Sequence, residues 1–415
     1  MNTTAKSGEH PYGWVIVIAA TICMIVSFGA NLTVSVLIKP FETEFGWSRG
    51  EISLAYTMVT IGGAFGGLFW GALSDKIGAK KIAFVAGITL PVALMGVSFQ
   101  SNLYAIYALY LVIGGIGFAG MFTPLLTLTG QWFEKRRGMA MGIATAGGAF
   151  GQGFIPFLAR VLISEYDWRT AMMVLGVGSL VLILPALFLL RPPPKPVHAA
   201  HVQTAVNAAV EDHSDNSWKL PWTVTIPWIA AAGFFCCVCM AVPLMHVIPL
   251  ATDIGITPET AAGLLFALMM AGIVGRIVFG SLADRIGALY TYVITSLGQT
   301  VSVFLFVQTG SVAALFAIAI FFGFFYAGVM TGLLICAQEA APARRTGFAM
   351  AVVSMTGWGG MGVGGWQAGY FFDTYGNYTT SYATAAIAGI INLMILAALI
   401  WYRKDRQPTV RFARA

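Results

Sequence analysis

The sequence predicts an all-α membrane protein: 12 transmembrane helices in two parallel six-helix repeats. Three observations carry this expectation. The chain is strongly apolar, its basic residues fall on every second polar stretch, and it repeats itself at one fixed offset.

Of 415 residues, 58% are hydrophobic and 10% are charged, and mean hydropathy is +0.80. Soluble domains average about 25% charged residues, so most of this surface must face lipid. A bilayer core takes about 20 residues of helix. Apolar runs of suitable length lie near 13–38, 51–73, 82–99, 103–130, 138–163 and 170–190. A second set lies near 225–251, 259–283, 289–308, 311–337, 346–372 and 380–402. A spanning backbone must satisfy its own polar groups, and these runs are too long for barrel strands, so each is expected to be a helix. The run from Trp14 to Ile38 exceeds a signal-peptide core and reads as a retained first span.

Charge sets the orientation. One group of polar stretches holds Lys76, Lys80, Lys81, Lys135, Arg136, Arg137, Arg191, Lys195, Lys219, Arg285, Arg344, Arg345, Arg403, Lys404 and Arg406. The intervening group holds only Lys39, Arg49 and Arg169, mixed with Glu42, Glu44, Glu165, Asp167, Asp253 and Asp373. By the positive-inside rule both termini are cytoplasmic, in a multi-pass protein of a bacterial inner membrane. The net charge of +6 and pI of about 9.1 are thereby explained by topology, and nucleic acid is not expected as a partner.

The repeat is specific. Gly71-Ala-Leu-Ser-Asp75-Lys76-Ile-Gly78-Ala returns as Gly280-Ser-Leu-Ala-Asp284-Arg285-Ile-Gly287-Ala, 209 residues on. Arg136-Arg137-Gly138-Met139-Ala140-Met141 returns as Arg345-Thr346-Gly347-Phe348-Ala349-Met350 at the same offset, and Tyr166 and Tyr375 keep it too. The expected organisation is an N-terminal bundle over 1–190, a cytoplasmic linker over 191–220 and a C-terminal bundle over 221–415. The linker begins Arg191-Pro192-Pro193-Pro194, and its His198 and His201 read as solvated rather than metal-binding. Cys23, Cys236, Cys237, Cys239 and Cys336 lie in apolar runs without metal-ligand spacing, so they read as small packing residues. No metal and no cofactor is expected.

In the loop after the second span, glycines permit a tight turn. The Asp-basic cluster there can form an ionic latch that holds one conformation, through Gly71, Asp75, Lys76, Gly78, Lys80 and Lys81, with Asp284 and Arg285 in the second copy. Gly71-x3-Asp75-Lys76-x-Gly78-x-Lys80-Lys81 resembles the loop-2/3 motif of the major facilitator superfamily, and its degenerate copy at Gly280 to Gly287 sits where that family has one. Within the superfamily the chain resembles the monocarboxylate transporter and oxalate/formate exchanger branch. The matching stretches are Tyr12-Gly13-Trp14, Phe45-Gly46-Trp47-Ser48-Arg49, Trp132-Phe133-Glu134-Lys135-Arg136-Arg137-Gly138-Met139-Ala140 and Gly275-Arg276. The resemblance implies a major facilitator fold, with a substrate site between the halves near the midplane.

Arg276 is the most informative single residue. It lies eight residues before Asp284, about 12 Å deeper along a helix. A cation there costs at least about 2.5 kcal/mol on insertion scales, and the spans offer no deeply placed Asp or Glu to neutralise it. A substrate carboxylate could do so through two charge-assisted hydrogen bonds. The competing role is capping backbone carbonyls or bridging to the latch. The resemblance implies the substrate role, since an arginine at this place binds the substrate carboxylate in that family. Mammalian-type monocarboxylate carriers have an Asp four residues earlier. Here that position is Gly272, so their proton relay is not expected.

The remaining candidates are polar or aromatic. His246, in Pro243-Leu-Met-His246-Val-Ile-Pro249, is a proton-coupling and substrate-binding candidate, or else a histidine hydrogen-bonded near a helix end. Asn31, Gln152 and Gln299 either line the path or bond between helices. Phe118, Phe122, Phe324, Tyr326 and Trp358 are cavity candidates because their spans are rich in small residues.

The expected function is alternating-access symport of a small organic anion (carboxylate) with a proton. A monocarboxylate such as lactate or pyruvate, or an aromatic acid, fits one deep cation. Carboxylate:carboxylate exchange without a proton is the alternative. A non-transporting membrane sensor is remote, since no sizeable soluble domain exists. The spans lack the paired aspartates, His cluster or activated nucleophile of an intramembrane enzyme.

Overall fold

The computed structural model describes residues 11–133, 136–193, 218, 220–342 and 345–406, apart from the side chains at 75, 405 and 406. The expected linker, with His198 and His201, lies almost wholly outside the described residues, as does the Asp75 side chain. Among the described residues the chain is helical, with no strand. Twelve long helices carry it: α1 (Tyr12–Phe45), α2 (Arg49–Ile77), α3 (Ala79–Ser98), α4 (Leu103–Gln131), α5 (Arg137–Glu165), α6 (Trp168–Leu189), α7 (Trp222–Asp253), α8 (Pro258–Ile286), α9 (Ala288–Val307), α10 (Val312–Ala340), α11 (Thr346–Tyr375) and α12 (Thr379–Arg406). Eleven of these spans are both long and apolar enough to cross a bilayer. The twelfth, α11, has the length, but eight glycines between Gly347 and Gly369 dilute its hydropathy.

The helices extend beyond the expected apolar runs because caps, rather than hydropathy, set their ends. Ser48 and Glu51 form a reciprocal capping box at the start of α2, and the Asp167 side chain accepts from the Thr170 amide at the start of α6. Gly78 and Gly287 close α2 and α8 at φ +91° and +89°, backbone that disfavours any side chain. Gly46 and Gly255 form a further positive-φ pair at the 209-residue offset.

Packing repeats with the sequence. In the first six helices α1 lies on α5, α2 on α4 and α3 on α6; in the second six α7 lies on α11, α8 on α10 and α9 on α12. The closest approaches use glycines at equivalent positions. Gly151 abuts the backbone of Ile25 and Gly360 that of Phe234; Gly114 abuts Val59 and Gly323 abuts Leu268; Gly66 abuts Gly115 and Gly275 abuts Phe324. Each member of one pair is 209 residues from its counterpart. Between helices in lipid there is no hydrophobic drive, so small residues that let backbones touch supply the adhesion.

Two helices depart from regularity. α1 breaks at Leu32–Thr33, between its helical parts Tyr12–Asn31 and Val34–Phe45. The Thr33 and Ser35 hydroxyls there donate to the carbonyls of Ala30 and Leu32 and compete with the helical ladder. α4 contains a π-helical turn, Ile113–Phe118, where Trp70 Nε1 donates to the Gly115 carbonyl at 2.7 Å.

The two sets meet along α2 with α11 and α5 with α8. Alternating helix direction puts the α1–α2, α5–α6, α7–α8 and α11–α12 loops at one end, here the Arg49 end. At that end the seam is closed. Towards the other end, the Gly78 end, Arg276 of α8 bonds to the Thr145 carbonyl of α5.

Candidate functional site

Arg276 is carried by α8, directly after Gly275, whose lack of a side chain lets α8 lie on the Phe324 backbone of α10. The guanidinium is partly buried at the seam. Its Nη1 donates to the Thr145 carbonyl of α5, in the other set, at 3.2 Å. The Tyr326 hydroxyl of α10 faces the same group. Among the described residues no carboxylate pairs with Arg276, so most of its donors are free for an acceptor that is not protein. At the equivalent position, Gly67, an added Cβ would meet nothing within 4 Å.

Nearer the Arg49 end lies an aromatic group. Phe118 and Phe122 stack at 5.5 Å and 12°, and Phe28 of α1 sets its edge against both. Trp358 of α11 reaches Phe118 across the seam, with centroids 5.3 Å apart at 70°. The π turn in α4 ends on Phe118 and sets the angle at which this ring enters the seam. Asn31 sits at the break in α1, 2% exposed, and neither atom of its amide has a partner. An unpaired buried amide costs about 1–3 kcal/mol, which marks Asn31 as a group awaiting a ligand or a second conformation.

The other expected residues lie elsewhere. Phe324 packs on Phe279 and Phe325 within its own set, away from the Phe118 group. Gln299 donates to the Cys236 carbonyl between α9 and α7. Lys76, Lys81, Asp284 and Arg285 are exposed and form no ion pair among the described residues, and the Lys80 ammonium lies over the Phe84 ring at 5.9 Å. All five cysteines are buried and free, and no metal-type cluster occurs among the described residues.

His246 is fully buried, but not beside Arg276. It lies seven residues from the Asp253 end of α7, whereas Arg276 lies eighteen from the Pro258 start of α8; at 1.5 Å per residue they are about 16 Å apart along the bundle. Nε2 is 2.8 Å from the Gly365 carbonyl and 3.3 Å from Ser53 Oγ, and Nδ1 is 3.1 Å from the Tyr378 hydroxyl. A carbonyl only accepts, so Nε2 carries the proton and Nδ1 accepts from Tyr378, a tautomer assigned from partners.

The sequence reading placed Arg49 in a loop and gave it no role. The structure corrects this. Arg49 opens α2 and is 2% exposed. Its Nη2 donates to Asp253 Oδ1 at 2.9 Å, and Nη1 donates to Asp253 Oδ2 and, at 3.0 Å, to Tyr378. Nε and Nη2 also reach Glu42 Oε2 at 3.2 and 3.1 Å, and the guanidinium stacks 3.7 Å from the Phe372 ring centroid. Lys39 joins Asp253 and Glu42, giving two cations and two anions. Asp373 of α11 accepts from the backbone amides of Arg49 and Gly50 at 2.9 and 2.7 Å, capping a helix of the opposite set. The Ser48–Glu51 capping box is the one local signal that Arg49 belongs to a helix mouth. Its burial depends on α7, α11 and α12, which no local pattern reveals.

The sequence matches the family model of the Major Facilitator Superfamily over residues 20–365, and again over 227–415. The chain belongs to this superfamily. The second, overlapping match is what an internal repeat produces. Among similar proteins, Monocarboxylate transporter 13 of Rattus norvegicus is 27% identical over 385 residues, covering 90% of this chain and 86% of that protein. Monocarboxylate transporter 10 of Homo sapiens is 25% identical over 438 residues, covering 96% and 80%. In fold the transporter is similar to a D-xylose-proton symporter, with TM-score 0.74, 16% identity and coverage of 93% and 97%. It is also similar to a partially occluded, inward-open xylose transporter of E. coli, with TM-score 0.75, 15% identity and coverage of 94% and 98%. The protein is thus an integral multi-pass transporter related to the monocarboxylate transporters.

Proposed function

We propose that this transporter carries a small organic anion in symport with a proton, by alternating access, rocking residues 1–190 against 221–415. One observation carries the reading: a partly buried guanidinium at the seam between the sets, bonded to a backbone carbonyl and a tyrosine hydroxyl and, among the described residues, paired with no carboxylate. A carboxylate would engage the free Arg276 donors bidentately and neutralise the site. The Phe28, Phe118, Phe122 and Trp358 rings would cover the apolar remainder, which suits a monocarboxylate such as lactate or pyruvate, or an aromatic acid. A dicarboxylate would leave its second charge against aromatic faces. The names of the sequence relatives point to the same cargo class.

A proton is included because a bare carboxylate would carry charge through the bilayer, and His246 is its entry residue, on the side where Arg49 closes the seam. The basic Gly78 end would face the cytoplasm under the positive-inside rule. The test is uptake into empty liposomes driven by a pH gradient, with and without Arg276→Ala and Arg276→Lys. A hydrogen bond to a charged group is worth about 1.5–3 kcal/mol, so the lysine variant should lose at least about tenfold in kcat/KM and the alanine variant more. Wild-type-like carboxylate uptake by folded, membrane-inserted variants would refute the assignment. Uptake only when substrate is preloaded inside would establish exchange in place of symport.

A further inference from the structure

At the Arg49 end one hydroxyl joins His246 to the guanidinium that closes the seam. Tyr378 donates to His246 Nδ1 and accepts from Arg49 Nη1. Its proton can serve only one acceptor, and in this arrangement that acceptor is a neutral imidazole. Arg49 is never anything but a donor. The chain of bonds therefore has one consistent hydrogen assignment, and it requires Nδ1 to be bare.

We propose that Tyr378 is a positioning residue for proton coupling, which lets Arg49 close the seam only while His246 is neutral. The proposal rests on the symport reading above and adds a rule to it. When Nδ1 takes a proton from solution, Tyr378 faces two donors, Nδ1–H and Nη1–H, and its own O–H loses its acceptor. The imidazolium and the Arg49 guanidinium then share one neutral phenol between them in a buried site. The other groups around this centre do not relieve the conflict. Asp253 of α7 and Glu42 of α1 are engaged by Arg49 and Lys39, Asp373 of α11 is engaged by the α2 amides, Ser53 of α2 lies on the Nε2 side, and Tyr382 of α12 stacks edge-on to Tyr378. Protonation therefore opens the Arg49 end. A proton that enters on His246 must leave Nδ1 before that end can close, so a carrier that keeps its proton on His246 cannot complete the cycle.

The test uses full-length protein in lipid nanodiscs without substrate. Spin labels are placed at Tyr166→Cys and Tyr375→Cys, exposed positions at the Arg49 end, one in each set; the native thiols are all buried. Electron–electron distance distributions are recorded between about pH 8 and pH 4. One titrating proton moves the ratio of open to closed by up to about tenfold per pH unit, so the wild type should pass from mostly short to mostly long distances as pH falls. His246→Gln should be indifferent to pH. Tyr378→Phe should lose most of the pH response while keeping the Arg49–Asp253 pair, and so still show a closed population. A wild-type distribution that ignores pH, or an undiminished pH response in His246→Gln, would overturn the proposal. The reading it rests on fails separately: if liposome uptake ignores a pH gradient while the distances respond, the switch exists and the symport reading is wrong.

Discussion

Gly369 offers the sharpest mechanical test of the closed seam. A Cβ built there would lie 2.6 Å from the carbonyl carbon and oxygen of Arg49 and 2.7 Å from the Gly50 nitrogen. These are backbone atoms of α2, in the opposite set, so no rotamer change can relieve the clash. Ordinary contact begins near 3.4 Å, so Gly369→Ala must move α11 and α2 apart by about 0.8 Å. The Asp373 bonds to the Arg49 and Gly50 amides, now 2.9 and 2.7 Å, would stretch to roughly 3.5 Å or more, beyond useful hydrogen-bond length. Overpacking costs about 1–3 kcal/mol, and here the cost falls only on the state closed at the Arg49 end. The open-to-closed ratio should therefore rise by about 5–150-fold. The spin-label pair at 166 and 375 reads this directly, as a gain in the long-distance population. The control is Gly364→Ala, where the obstructing backbone is that of Val238 in the same set. That variant should melt at lower temperature without favouring either conformation. If Gly369→Ala melts like Gly364→Ala and leaves the distance distribution unchanged, the α2–α11 contact is not a moving seam and the reasoning fails.

Two further expectations follow from single residues. Asn31→Leu removes an amide that is buried without a partner, so the substrate-free carrier should melt at the same or a higher temperature while the KM for a carboxylate rises; a lower melting temperature with unchanged KM would show the amide to be structural. Gly78→Ala meets a backbone at φ +91° and should cost about 1 kcal/mol, whereas Gly71→Ala, whose Cβ would meet only Thr123 Cγ2 at 3.5 Å, should be tolerated; equal losses in thermal melts would contradict this difference within one motif.

Several features were legible in the residues alone because they depend on local chemistry repeated along the chain. Apolar runs of bilayer length must be helices whatever their neighbours. The 209-residue offset seen in the loop motifs holds in three dimensions down to the glycine contacts Gly151–Ile25 and Gly360–Phe234. Arg276 was legible as an anomaly, since a cation in an apolar run announces its own desolvation cost.

Other features depend on which helices face each other, and sequence periodicity carries little of that information when helices are apolar on every side. Arg49 looked like one more loop cation until α7, α11 and α12 closed around it. His246 reads in the sequence as a proton-coupling and substrate-binding candidate, or a histidine hydrogen-bonded near a helix end; it lies about 16 Å from Arg276 along the bundle, bonded to Tyr378 from the far end of the chain. The sequence by itself determined the spans, the repeat and the anomalous cation at position 276, because desolvation and backbone hydrogen bonding act on each segment separately. Only the tertiary structure decided what Arg276 leaves free and what Arg49 ties down, because a charge in a membrane protein is defined by its partners, and these come from helices hundreds of residues away.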